Sequence, residues 1–132
     1  MSPPDAEMMA VAERLARFLE TGAEGTPGDI FADEGVAIVE NFPPYVFAGP
    51  DAVARWSKEM RAHLEAVSGL HHDFEAVHDF TRSGDEAYFA LRTVWSGTDQ
   101  GESFHETGGW AFVLTRKSGA WRIKAYGWAV IA

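Results

Sequence analysis

Glu86-Ala87-Tyr88-Phe89-Ala90-Leu91-Arg92-Thr93-Val94-Trp95-Ser96 is bounded by turn residues on both sides, Ser83-Gly84-Asp85 before it and Gly97 through Gly101 after it. Ala87, Phe89, Leu91, Thr93 and Trp95 fall at every second position, the period of a β-strand. A strand with a hairpin turn at each end has an antiparallel neighbour on each side. Read outward, Leu70 to Thr81, Ser103 to Thr115 and Trp121 to Ile131 carry the same period, and Ser118-Gly119 marks the last turn. Four long strands in an antiparallel meander follow. The second face of the central strand carries Tyr88, Ala90 and Val94, with only Arg92 and Ser96 to wet it. A sheet with one solvated face alternates more cleanly. Helices are therefore expected on one face and a second copy of the chain on the other, making a homodimer through the sheet.

The N-terminal half has helical periods instead. Met8, Val11, Leu15 and Phe18 recur at steps of three and four, predicting a helix from about Asp5 to Thr21 that stops at Gly22. Ser2 and Asp5 have capping-box spacing, and Pro3 and Pro4 suit a helix start. Thr26-Pro27-Gly28-Asp29 predicts a second, short helix anchored by Ile30 and Phe31. Val36 to Val39 reads as a strand closed by Phe42-Pro43-Pro44, and Tyr45 to Phe47 as a short extended piece. After Gly49-Pro50-Asp51, the stripe Val53, Trp56, Met60 and Leu64 predicts a helix reaching about Val67. Helices followed by hairpin-linked strands make an α+β class, in one domain over residues 1–132.

Composition narrows the function. The 132 residues carry 11 Lys and Arg against 20 Asp and Glu, a formal charge of −9. Phosphate-bearing partners draw affinity from clustered cations, and here these are scattered, so neither nucleic acid nor a membrane is expected as partner. Arg116 and Lys117 read as a solvated hairpin tip. No run approaches the length of a membrane span, and Glu7 and Glu13 hem the N-terminal apolar residues, which excludes a signal-peptide core. Without cysteine there is no thiolate metal site, cysteine nucleophile or disulfide framework, which fits a cytoplasmic setting.

Two stretches carry a likeness to known proteins: Ile30-Phe31-Ala32-Asp33-Glu34-Gly35-Val36, and Trp110-Ala111-Phe112-Val113-Leu114-Thr115-Arg116-Lys117-Ser118-Gly119-Ala120-Trp121-Arg122-Ile123. With the order of elements around them, they resemble the nuclear transport factor 2-like superfamily, which includes ketosteroid isomerase and SnoaL-like polyketide cyclases. The resemblance implies a cone-shaped curved sheet, a half-barrel wrapped by three helices, with a deep apolar pocket in a dimer. It places Leu91, Thr93, Trp95, Trp110, Phe112, Tyr126 and Trp128 on the pocket wall. Leu15, Asn41, Phe42, Tyr45, Trp56 and Met60 complete the expected ligand contacts. The polar groups of ketosteroid isomerase do not carry over. Its base would fall on Asn41, an amide that takes no proton at neutral pH, its oxyanion tyrosine near Leu15 and its protonated aspartate near Trp110. Steroid isomerisation by that mechanism is rejected.

Other polar residues remain as candidates. Glu40, His72 and Tyr126 are the expected acid-base participants, since a carboxyl or imidazole in an aromatic cavity has its charged form disfavoured. His105-Glu106 reads either as half of an acid-base pair or as an exposed strand start, the latter preferred. His63 reads as a residue bordering its helix's apolar face. No metal site is expected: His71 and His72 point to opposite faces of a strand, and His72 and His78 lie about 20 Å apart along it. Trp95, Trp110 and Trp128 either line a cavity for an aromatic ring or fill the cone. The expected function is a cofactor-free domain binding a small apolar or aromatic molecule, acting if catalytic by proton transfer in isomerisation, cyclisation, hydration or dehydration. The alternative is a non-catalytic binding or dimerisation module with a vestigial pocket.

Overall fold

The computed structural model describes residues 4–117 and 119–132; Ser2 and Pro3 of the expected helix start and Ser118 of the last turn lie outside the described residues. Helix α1 (Ala6–Glu20) begins at Asp5, whose carboxylate accepts the Met8 N–H at 2.9 Å. Asp5 is thus the N-cap. Met8, Val11, Leu15 and Phe18 form its buried stripe, widened by Ala12, Ala16 and Leu19. It ends where Gly22 takes a φ of 77° and Ala23 donates back to the Phe18 carbonyl at 3.0 Å.

The second expected helix is a single three-residue 3-10 turn, Gly28–Ile30. Gly28 holds a φ of 63°, and the Asp29 carboxylate accepts from Arg14 of α1 at 2.8 Å. So short a segment gains too few hydrogen bonds to offset nucleation. Strands β1 (Ala37–Val39) and β2 (Val46–Phe47) pair antiparallel across the Pro43-Pro44 turn. Helix α2 (Ala52–His63) buries Ala52, Trp56, Ser57 and Met60, and stops at Leu64, so that Val67 belongs to the next strand. Arg61 ties it to the loop after α1, donating to the carbonyls of Ala23 and Gly25, each at 3.1 Å.

The meander comprises β3 (Val67–Ser83), β4 (Glu86–Asp99), β5 (Glu102–Lys117) and β6 (Ala120–Val130). β3, β4 and β5 run longer than their periodicity indicates, because ladder pairing carries on into the polar ends, whereas β6 keeps its expected length and starts one residue earlier. The sheet order is β2-β1-β6-β5-β4-β3, with every ladder antiparallel except that β1 runs parallel to β6, Ile38 opposite Tyr126. The sheet is open and curved, and the β3 ladder carries three register shifts that favour bending. Phe89, Leu91, Phe112, Leu114 and Ile123 on its concave face are fully buried. Trp121 is core, its ring flanked by the guanidinium groups of Arg82 and Arg116 at 5.1 and 4.9 Å. Among the described residues no helix is long and apolar enough to cross a membrane.

Candidate functional site

Where the concave face meets the ends of α1 and α2, a cavity of about 360 Å³ remains. Trp95 from β4, Trp110 from β5 and Trp128 from β6 form its sheet-side wall, with Leu19, Phe42, Met60 and Leu64 opposite. The rings brace one another. Trp110 meets Trp128 edge-on at 6.1 Å and 81°, Tyr126 at 5.8 Å and 84°, and Trp95 at 5.8 Å. Gly108 makes this arrangement fit, because a Cβ there would stand 2.5 Å from Trp128 Cη2 and 2.4 Å from the Ala129 carbonyl oxygen.

Glu40 follows β1 and reaches the deep end of the cavity, only 5% exposed. Its Oε2 accepts the indole N–H of Trp56 at 2.9 Å and the hydroxyl of Tyr126. Burial pushes the Glu40 carboxyl up to about 7, while the hydrogen bonds from Tyr126 and Trp56 restrain the rise. The Tyr126 phenol is held well above its ordinary value by burial and by the adjacent Glu40 charge, so it stays protonated and donates. With both donors on Oε2, Oε1 is the oxygen open to proton exchange. A carboxyl that titrates near neutrality in an aromatic-walled chamber can act as general acid or base.

The other end is open. His63 lies in the last turn of α2, its ring stacked on Phe42 at 4.4 Å and 17°. Glu106 lines this end with Asp99 and Phe104. Burial raises the Glu106 carboxyl, and the opposing field of His63 draws it back. Glu106 is half-buried, not the exposed strand start expected for it, because positions 106, 108, 110 and 112 share the inner face.

The three acid-base candidates separate. Glu40 and Tyr126 meet, whereas His72 lies outside the cavity wall. Its Nδ1 faces Glu20 Oε2 at 2.6 Å and its Nε2 faces Glu13 Oε1 at 2.8 Å, while its backbone N–H donates to the same Glu20 oxygen at 2.8 Å. Carboxylates only accept, so the ring is the doubly protonated imidazolium, clasping α1 to β3. Among the expected ligand contacts, Asn41, Phe42, Met60, Trp95, Trp110 and Trp128 line the cavity. Leu15, Leu91, Thr93 and Phe112 are packed instead into the solid core beneath α1, at 0% exposure, and Trp56 stands behind Glu40. Tyr45 is 55% exposed, since a φ of 72° turns it out of the loop that its N–H closes onto Phe42 at 2.8 Å. His63, Glu106, Leu19 and Phe104 were not among the expected contacts. For Glu106 and Phe104 the signal was their even spacing from Trp110; for His63 and Leu19 no local signal distinguishes a cavity wall from a helix border. No group of three or more His, Asp or Glu among the described residues is placed to hold a metal ion.

Several solved structures share this fold. A nuclear transport factor 2-like superfamily protein from Salmonella enterica is similar at a TM-score of 0.77 and 16% identity, over 96% of this chain and 89% of that one. A ketosteroid isomerase-like protein from Erwinia carotovora gives 0.75 and 17%, over 96% and 95%. A nuclear transport factor 2-like protein with a cystatin-like fold from Novosphingobium aromaticivorans gives 0.71 and 17%, over 95% and 80%. Likeness at these identities is one of fold. The chain belongs to the SnoaL-like domain family, whose model matches residues 4–127. Among curated proteins none matches it.

Proposed function

We propose that the cavity binds a small apolar or aromatic molecule and that Glu40 exchanges a proton with it, in a cofactor-free isomerase-, cyclase- or dehydratase-type reaction. One observation carries this reading: a buried carboxyl, pushed up to about 7, opens into a tryptophan-walled chamber with one oxygen held by Tyr126 and Trp56. Holding Oε2 orients Oε1 toward the ligand without a reorganisation step. The isomerase and cyclase members of the family support the same reading. The test is deuteration of enolisable ring ketones in D2O, followed by NMR, alongside tryptophan-fluorescence titration with the same compounds. The wild type is expected to bind saturably and to speed deuteration next to the carbonyl, and Glu40→Gln to lose at least about a hundredfold of that rate. Saturable binding without deuteration would mark the chain as a binding module.

The outer face of the sheet supports a homodimer. Ala90 and Val94 of β4 and Ala111 and Val113 of β5 alternate with the buried inner row, and Val39 and Val46 beyond β6 are 49% and 56% exposed. Small apolar side chains allow a second sheet to approach to about 10 Å. Sedimentation at micromolar concentration is expected to give twice the chain mass of 14.5 kDa. A mass of one chain would refute the dimer.

A further inference from the structure

The ends of the cavity differ, and the difference bears on what it selects. At the open end, Glu106 is half-buried in the wall yet makes no hydrogen bond or ion pair with any described residue. A partly desolvated carboxylate without a donor from the protein has lost part of its hydration, and a donor brought by a ligand restores the loss. The charge acting on it is that of His63 across the opening. That imidazole is fixed in place by its stack on Phe42 at 4.4 Å.

The distance between the two carboxyls follows from strand register. Val39 lies opposite Gly127, so Glu40 comes level with Trp128, which pairs with Trp110. Glu106 stands four residues before Trp110, about 13 Å along an extended strand. The two carboxyls are too far apart to pass a proton directly. Between them lie the rings of Trp95, Trp110 and Trp128.

We propose that Glu106, backed by His63, is a second polar station, and that the cavity selects aromatic molecules with a hydrogen-bond donor at each end, one met by Glu40 and the other by Glu106. This rests on the reading that the cavity binds a ring ligand. It adds that a molecule with one polar end leaves Glu106 without its donor, and is therefore discriminated against.

The test compares two probes of one shape, 4-hydroxybiphenyl and 4,4′-dihydroxybiphenyl, by calorimetric titration at pH 8 into wild type, Glu106→Leu and Glu106→Gln. One added charge-assisted hydrogen bond is worth about tenfold, so the wild type is expected to bind the diol about ten times more tightly. Glu106→Leu is expected to abolish that preference, binding both probes with equal affinity because no unsatisfied carboxylate remains to penalise 4-hydroxybiphenyl, and an unchanged far-ultraviolet circular dichroism spectrum shows that the variant is folded. Glu106→Gln, keeping an acceptor oxygen, retains part of it. Equal affinity of wild type for both probes, or a preference that survives in Glu106→Leu, overturns the second station while leaving the ring-binding reading intact. Failure of both probes to bind wild type overturns both.

Discussion

Replacing Glu40 by glutamine tests the electrostatics of the site without needing a ligand. The amide keeps an oxygen to accept from Trp56 and Tyr126, but it never ionises. In the folded chain the carboxyl is pushed from 4.5 up to about 7 by burial. Below pH 4.5 both folded and unfolded chains hold this proton, and Glu40 costs nothing. Between 4.5 and 7 the unfolded chain releases the proton while the folded chain retains it, so stability falls as pH rises. Above 7 both have released it, and the penalty stays constant. At roughly 1.4 kcal/mol per pH unit, the displacement amounts to about 3 kcal/mol. Urea unfolding of wild type and Glu40→Gln at matched protein concentration, from pH 4 to 8.5, measures it directly. Groups that titrate in both proteins cancel in the difference. The stability of the variant minus that of wild type is expected to climb by about 3 kcal/mol across the range and then level off. A difference that stays flat with pH would refute the claim that burial holds this carboxyl near neutrality, and with it the acid-base role.

The clasp at His72 has its own pH signature. Burial pulls the imidazole down, but the Glu13 and Glu20 carboxylates outweigh it and leave the pKa raised above 6.5. Its stabilisation is therefore complete below pH 6.5 and is lost as pH rises through the raised value; the NMR titration of its ring protons should show that midpoint, and His72→Gln should remove the corresponding decline in thermal stability. Gly108→Ala drives a methyl to 2.5 Å from Trp128 and 2.4 Å from the Ala129 carbonyl oxygen, so a loss of about 1–3 kcal/mol in urea unfolding and a changed tryptophan emission are expected. Asp5→Ala removes the 2.9 Å cap on Met8 and should cost about 1 kcal/mol, read in the same unfolding assay.

Local rules explain how much of the fold was legible beforehand. The stripe Met8, Val11, Leu15 and Phe18 is buried as its spacing required, because helical period and burial are two views of one face. Hairpin turns at Gly84-Asp85 and at Gln100-Gly101 bound β4, each within the stretch whose turn residues announced it although the strand itself continues through Gly97 to Asp99, since glycine supplies backbone angles that other residues resist; Gly84 and Gly101 hold φ of 62° and 82°. The Thr26 to Asp29 segment misled for the same reason in reverse. It carries capping chemistry without the length that makes a helix worth nucleating, and Arg14 claims the Asp29 carboxylate. Tyr45 and Leu15 illustrate a different gap. Both are the right type of residue for an apolar or aromatic wall, but one is turned outward by its backbone and the other lies beneath solid packing.

By itself the sequence determined the elements, their faces and the hairpin order of the meander, because period, turn residues and caps act over a few neighbouring positions. Only the tertiary structure decided the chemistry. Glu40 and Tyr126 lie 86 residues apart and meet because β1 closes onto β6 in a parallel ladder that no local pattern announces. His72, with the same residue-level promise as Glu40, became a clasp because α1 presents Glu13 and Glu20 to it. A side chain's proton affinity is set by what surrounds it, and those surroundings come together only when distant parts of the chain are packed.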